Sequence, residues 1–253
     1  MTATGPSMIV QLFHTCLVNE FAPEVGMAVV RVLERAGADV RVPREQTCCG
    51  QPAYNAGFRD EARVVARHTV DLLAATAGPI VIPSGSCADM LVHQYPLLLE
   101  DDQSASAKAR QVAGRCREFS QFLVEVAPEG FGGKLTTRVA YHPSCHLLRG
   151  LGVRRQPVAM LSAIEGVEQA DVADQEECCG FGGLFSVKNA DISNGMLERK
   201  LAAVEASRPD RLVSCDLGCL MHLNGGLHRR RSPIRVQHLA ELVDESVAGH
   251  RTP

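Results

Sequence analysis

The order of hydrophobic and polar positions predicts strands that alternate with helices. Residues 8–13 form a short apolar run typical of a strand, and residues 22–36 carry apolar side chains at helical spacing. Residues 38–42 alternate like a second strand. A second helix is predicted over 59–77 and a third strand over 80–82. This order predicts a parallel sheet with right-handed crossovers.

The second half of the chain repeats this order. Residues 101–115 are polar and alanine-rich, which predicts either a linker or an exposed helix. A helix over 119–126 closes the first half, and a hinge is expected over 128–133. The remaining predicted elements are a strand at 138–141, a helix at 155–164, a weak strand at 167–172, a helix at 189–206 with Ile192, Met196 and Leu197 facing inward, a strand at 212–213, a helix that begins at Cys219, and a helix at 239–247.

The repeat has a period near 130 residues, which is typical of a domain duplication and too long for a solenoid. We therefore expect an α/β protein of two pseudo-symmetric domains, at residues 8–130 and 137–253. Each domain should be a small parallel sheet flanked by helices. The chain length of 253 residues and the 45% hydrophobic content are sufficient for two cores of this size.

Cysteines repeat with the same period. Each half has an adjacent pair followed by glycine, and adjacent cysteines make a strained disulfide. One cysteine lies 32 or 33 residues before each pair, and another lies 38 or 40 residues after it. The first set is Cys16, Cys48, Cys49 and Cys87, and the second set is Cys145, Cys178, Cys179 and Cys219.

Each set predicts an all-thiolate metal site. Cys16 and Cys145 follow predicted strands, at the sheet edge where open α/β proteins bind ligands. Four thiolates suit an iron-sulfur cluster or zinc. Zinc usually binds C-x2-C knuckles, which this chain lacks, and glycines beside both pairs let backbone amides approach sulfur. An iron-sulfur cluster is favoured, while zinc and scattered buried thiols remain open alternatives.

Composition excludes several other classes of protein. The net charge of −3 provides no basic surface for nucleic acid, and an aromatic content of 4% without tryptophan removes stacking platforms for single strands. No apolar run approaches the roughly 20 residues of a membrane span. We expect a soluble cytoplasmic protein, in which cysteines stay reduced. No G-x-G-x-x-G fingerprint for a flavin or nicotinamide is present.

At these cysteines the chain resembles the CCG-domain proteins, which carry a cysteine, a CCG triplet and a further cysteine at long spacings. The resemblance covers both halves. This family includes the CCG-containing subunit of heterodisulfide reductase, the iron-sulfur subunit of glycolate oxidase and the lactate-utilisation protein A family. The chain is most similar to the last of these, on its compact size and on the segments PSGSCADM at 83–90 and DLGCLMHLNG at 216–225.

The resemblance implies an iron-sulfur, electron-carrying subunit of a complex that oxidises L-lactate, or a related 2-hydroxy acid, to pyruvate. It implies a [4Fe-4S] cluster in each half, held by the two sets of four cysteines. The implied partners are a ferredoxin-type iron-sulfur subunit and a third subunit. Whether this chain is itself an enzyme stays open. Two alternatives are a thiol-disulfide reductase of the heterodisulfide reductase type and a zinc-stabilised scaffold.

One motif departs from the heterodisulfide reductase branch, in which C-x2-C supplies a fifth thiolate. The first cysteine of that motif is replaced by Ser84 in one half and by Asp216 in the other. Cys215 lies one residue away and is a candidate fifth ligand, whereas Cys116 is interpreted as a plain thiol on a linker.

Histidines next to the ligand cysteines are expected to hydrogen-bond to sulfur more often than to bind metal. They are His14, His142 and His146.

Overall fold

The computed structural model describes residues 8–248, which form two four-stranded parallel sheets flanked by helices. The elements of the first half are β1 (Met8–Leu12), α1 (Cys16–Phe21), α2 (Pro23–Arg35), β2 (Ala38–Arg41), α3 (Gln51–Ala56), α4 (Arg59–Ala74), β3 (Ile80–Ile82), α5 (Gly85–Asp89), a π-helical turn (Met90–Gln94), α6 (Tyr95–Leu98), α7 (Gln103–Arg115), β4 (Cys116–Glu118) and α8 (Phe119–Val126).

The second half repeats this plan. Its elements are β5 (Lys134–Tyr141), a π-helical turn (His146–Gly150), α9 (Arg155–Ser162), β6 (Glu165–Gln169), α10 (Leu184–Lys188), α11 (Ala190–Ala206), β7 (Arg211–Ser214), α12 (Leu217–Arg229), β8 (Arg235–His238) and α13 (Leu239–Ala248). Among residues 8–248, no helix combines the length and apolarity needed to cross a lipid bilayer.

The two sheets have the same strand order, β2-β1-β3-β4 and β6-β5-β7-β8, and every pair is parallel. The predicted α/β class and its duplication are therefore confirmed. In each sheet the connections from the two central strands run to opposite edges of the sheet. Between two such strands a crevice opens at their carboxyl ends. The domain limits at 8–130 and 137–253 stay a prediction, and residues 249–253 lie outside the described part.

Helix α2 shows how the sequence sets an element. Pro23 occupies its first turn, where its missing N–H costs no hydrogen bond. Val25, Val29 and Val32 recur on one face and are fully buried. Gly37 follows the helix with a φ of 82°, a conformation that glycine adopts without strain.

The helix that closes each half packs on a helix of the other half. Helix α13, which closes the second half, packs on α2 of the first half, and α8, which closes the first half, packs on α9 of the second. A single hydrophobic core runs between the sheets and contains Val10 and Leu33 from one half and Tyr141 and Val243 from the other. This reciprocal packing fixes the two sheets relative to one another.

Asp244 on α13 connects the halves electrostatically. Its carboxylate accepts hydrogen bonds from Arg35 and, at 2.7 Å, from Nε of Arg31, both on α2. Burial alone would raise the pKa of Asp244, but the hydrogen bonds and positive charges of the two arginines outweigh it and hold the pKa below its ordinary value.

Several expectations are wrong in detail. Residues 103–115 form a helix, one of the two predicted alternatives, but its inner face is buried and it is not fully exposed. Cys116 lies in strand β4, where it is buried, and not on a linker. The fourth strand of each sheet, β4 or β8, was not predicted. Ile192 was expected to face inward but is 61% exposed, because α11 turns Ser193 and Leu197 towards the core instead.

We predict that Asp244→Asn lowers the free energy of unfolding by about 1–2 kcal/mol, measured by urea denaturation, because two arginines lose a partly buried partner. Since the pKa of Asp244 is lowered on folding, its contribution should be present above about pH 4 and vanish as the pH falls through the lowered pKa. The matched control is Asp71→Asn, which breaks an exposed pair with Lys108 and should cost less than about 0.5 kcal/mol. Equal losses in the two variants would contradict the prediction.

Candidate metal centres

All eight predicted ligand cysteines line one cavity of about 230 Å³ at the carboxyl ends of the two sheets. Four come from each half. They are Cys16, Cys48, Cys49 and Cys87 from the first half and Cys145, Cys178, Cys179 and Cys219 from the second. The structure thus brings together both sets that the repeated spacing singles out, and it places the two sets on the same opening.

In the first half, sulfur atoms meet in pairs. Sγ of Cys16 lies 3.5 Å from Sγ of Cys48, and Sγ of Cys49 lies 3.3 Å from Sγ of Cys87. Hydrogen bonding with Cys16 and Cys49 lowers the pKa of Cys48 to about 3, which favours its thiolate form. The hydrogen bond to Cys48, together with burial, raises the pKa of Cys16.

The second half repeats this arrangement. Hydrogen bonding with Cys145 and Cys179 lowers the pKa of Cys178 to about 2. Backbone amides also point at sulfur: Gly180 N–H donates to Sγ of Cys178 at 3.4 Å, and Phe181 N–H donates to Sγ of Cys179 at 3.5 Å. Such amides stabilise negative charge on thiolates and on the sulfurs of a bound cluster.

Glycine is required in the CCG turn of the second half. Gly180 has a φ of 92°, and a Cβ placed on it would lie 2.5 Å from the carbonyl oxygen of Ser193 on α11. The Ser193 hydroxyl donates to the Gly180 carbonyl at 2.8 Å. The turn is therefore pressed against α11, which aims both cysteines into the cavity.

Residues that hold the CCG loops were not predicted. In the first half, Gln46 Nε2 donates to the Leu12 carbonyl at the end of β1, at 2.8 Å. In the second half, Gln175 Nε2 donates at 2.9 Å to the Tyr141 carbonyl at the end of β5. Each glutamine ties a CCG loop to the strand that precedes the first cysteine of its set. A glutamine two or three residues before each pair was a sequence signal for this role.

The loop of the second half has an additional anchor. Lys200 is buried on α11, and its Nζ donates to the carbonyls of Asp174 and Gln175 at 2.9 and 3.0 Å. No periodicity in the sequence distinguishes this lysine from an exposed one.

Ser84 and Asp216, which replace the fifth thiolate, cap helices and bond to each other. The Ser84 hydroxyl accepts from the amide of Cys87, and the Asp216 carboxylate accepts from the amide of Gly218. Across the two halves, Asp216 Oδ2 accepts from the Ser84 hydroxyl at 3.2 Å and from the Ser86 amide at 2.9 Å. These two positions therefore stabilise the interface between the halves.

Cys215 does not line the cavity. It is fully buried in the core shared by the two halves, with its Sγ 3.9 Å from the Tyr141 hydroxyl, and burial raises its pKa. The structure thus brings eight of the nine candidate ligands together and leaves Cys215 behind them.

The spacing of the donor atoms can be compared with that of a zinc site. Tetrahedral zinc with Zn–S bonds of about 2.3 Å requires four sulfurs roughly 3.8 Å apart. Among residues 8–248, the only group of three or more acidic, histidine or cysteine donors within 4.8 Å of one another is His142, Cys179 and Cys219. No three of the four sulfurs of the first half lie within 4.8 Å of one another, although Cys16 and Cys48 form one close pair and Cys49 and Cys87 another.

Histidines surround the cavity in different ways. His146 lines it, and its Nδ1 lies 2.6 Å from Oδ2 of the buried Asp89, whose Oδ1 lies 2.8 Å from Nδ1 of His93. Asp89 thereby connects the π-helical turns of the two halves. His142 is buried, and neither of its ring nitrogens has a hydrogen-bond partner.

Comparison with known proteins agrees with this geometry. The cysteine-rich CCG domain family matches twice, over residues 10–92 and 139–224. Lactate utilization protein A of Geobacillus sp. (strain WCH70) is 42% identical over 238 residues, which cover 94% of this chain and 99% of that protein. The chain belongs to the cysteine-rich CCG domain family and, within it, to the lactate utilization protein A family.

Two other members have a comparable sequence identity. Lactate utilization protein A of Geobacillus kaustophilus is 43% identical, and the match covers 94% of this chain and 99% of that protein. Lactate utilization protein A 2 of Bacillus cereus (strain Q1) is 38% identical, and the match covers 95% of this chain and 100% of that protein. The predicted membership of the CCG-domain proteins, in the lactate utilization protein A family, is confirmed.

Among solved structures, a putative Asp/Glu racemase from Yersinia pestis aligns with 96% of this chain and 98% of its own. Its TM-score is 0.39 and its identity 11%, a likeness that carries no functional argument.

We predict that Gly180→Ala destabilises the protein by about 2–4 kcal/mol, because the added Cβ meets a backbone carbonyl and the positive φ disfavours alanine. The matched control on α11 is Gly195→Ala, where a Cβ meets nothing within 4 Å. That variant should be neutral or up to about 1 kcal/mol more stable. Thermal and urea denaturation provide the comparison, and a harmless Gly180→Ala would show that the turn is not constrained.

Proposed function

We propose that this chain binds two iron-sulfur clusters of the [4Fe-4S] type and carries electrons in an L-lactate oxidation complex. The observation that supports it most is the convergence of eight cysteines, four from each half, on one cavity. The proposed ligands of the first cluster are Cys16, Cys48, Cys49 and Cys87, and those of the second are Cys145, Cys178, Cys179 and Cys219.

Thiolate character and backbone amides support a role for these residues in holding such clusters. Hydrogen bonding with neighbouring thiols lowers the pKa values of Cys48 and Cys178, which favours the thiolate form that binds metal. The amides of Gly180 and Phe181 are directed at sulfur, and hydrogen bonds of this kind tune the potential of a cluster. Bound clusters would supply reversible one-electron transfer, a chemistry that amino-acid side chains alone do not provide.

Relatives named for lactate utilization support the proposed pathway of electrons. Oxidation of L-lactate to pyruvate releases two electrons and two protons. Two one-electron centres on one cavity match this number of electrons. We propose that the electrons leave to a ferredoxin-type iron-sulfur subunit, that a third subunit completes the complex, and that the complex works in the cytoplasm.

Metal analysis tests cluster binding. Protein purified without oxygen should be brown and contain about eight iron and eight sulfide ions per chain. Cys49→Ala and Cys179→Ala should each halve the iron content, because each removes a ligand from one set only. Cys116→Ala, a buried thiol outside both sets, should keep all of the iron. Colourless protein with about two zinc ions would instead favour the zinc scaffold.

Growth tests the role in lactate oxidation separately. A strain that lacks the gene should fail to grow on L-lactate but grow normally on glucose. The wild-type gene and the Cys116→Ala gene should restore growth, and the Cys179→Ala gene should not. Undiminished growth of the deletion strain on L-lactate would refute this role while leaving cluster binding intact.

The shared cavity also favours a second candidate, a thiol-disulfide reductase, because a disulfide placed between the two sets would meet both centres. Its cleavage to two thiols consumes two electrons, supplied by an external reductant such as dithionite, and two protons, supplied by water. The isolated, reduced protein should then cleave bis(2-hydroxyethyl) disulfide, and Cys179→Ala should not. Absence of this activity in iron-loaded protein would exclude the second candidate.

A further inference from the structure

His142 lies beside two cysteines of the second set. Its backbone N–H donates to the Val213 carbonyl at 2.8 Å, which fixes the residue at the ends of β5 and β7. A ring nitrogen of His142 and the Sγ atoms of Cys179 and Cys219 lie within 4.8 Å of one another. The strands that deliver these cysteines thus also deliver an imidazole.

The imidazole lacks any partner within the described structure. His142 is 1% exposed, and neither Nδ1 nor Nε2 forms a hydrogen bond. A buried polar atom without a partner is destabilising, because it has lost its hydrogen bonds to water. A neutral imidazole has one ring nitrogen with an available lone pair. An electron-pair acceptor beside Cys179 and Cys219 would satisfy this nitrogen.

The first half offers an internal comparison. Phe13 occupies the equivalent position, since its backbone N–H donates to the Val81 carbonyl at 2.9 Å, as His142 does to Val213. Both residues precede the first cysteine of their set by three positions. Phe13 is equally buried but has no donor atom. The two halves therefore differ at this position in coordination chemistry and not in backbone geometry.

We propose that His142 is a nitrogen ligand of the metal centre in the second half, so that this centre has four thiolates and one imidazole as donors and the first has thiolates alone. The assignment rests on the proposed cluster binding. The capping role of Asp216 and the distance of Cys215 from the cavity leave no fifth thiolate on this side. The imidazole takes the place of that fifth donor.

This ligation makes the two centres unequal in potential. The imidazole adds to the four thiolates of the second centre and replaces none of them, so the two centres differ in their ligand sets and should differ in potential.

Pulsed EPR of the dithionite-reduced, iron-loaded protein tests the ligand directly. Wild-type protein should show a strong coupling to a directly bound nitrogen, and growth with ¹⁵N-histidine should change that coupling to the ¹⁵N pattern. This measurement needs no variant. A redox titration should resolve two potentials.

His142→Phe copies the residue of the first half, and it should remove the nitrogen coupling and shift only one of the two potentials. His146→Gln is the control, because this histidine also lines the cavity and its Nδ1 is bound to Asp89. It should leave the coupling in place.

The outcomes separate the two proposals. Iron-loaded wild-type protein without a bound-nitrogen coupling overturns the ligation by His142 and leaves cluster binding standing. A coupling that survives in His142→Phe, or that is lost in His146→Gln alone, also overturns it. Protein that contains no iron overturns cluster binding itself, and the ligation with it.

Discussion

Eight thiol groups facing one cavity are the constraint on which the rest of this structure depends. Each thiol that ionises makes the next ionisation harder, because the new negative charge lies beside existing ones in a partly desolvated site. The pKa values reflect this: hydrogen bonding with neighbouring thiols lowers those of Cys48 and Cys178, and the hydrogen bonds to these two residues help raise those of Cys16 and Cys145. Positive charge beside the sulfurs would favour the thiolate form of all eight.

Most of the fold could be predicted because the central strands and the helices carry clear patterns. Strand β3 is a short, fully buried apolar run, and α8 has the same bounds as its prediction. The fourth strand of each sheet was missed because its three or four residues mix charged and buried positions, and only pairing with β3 or β7 makes it a strand. The orientation of Ile192 was wrong because apolar residues occur around most of α11, so spacing alone did not select the buried face.

The residues of the site likewise fall into those that the sequence predicts and those that it does not. The eight cysteines could be located because their spacing repeats, and spacing is a property of the chain alone. The bond between Ser84 and Asp216, the anchor at Lys200 and the isolation of His142 depend on contacts between distant segments. No local pattern encodes these contacts. A superposition of the two halves on their first cysteines would nevertheless have placed Phe13 opposite His142.

The packing of each closing helix on the opposite half has an evolutionary consequence. A polypeptide of half this length, with the same contact surface, would pair with a second copy about a twofold axis and form a closed dimer. In such a dimer every substitution changes both sites at once. Fusion of two copies into one gene removes that coupling, so each site is free to acquire its own residues, as positions 13 and 142 have done.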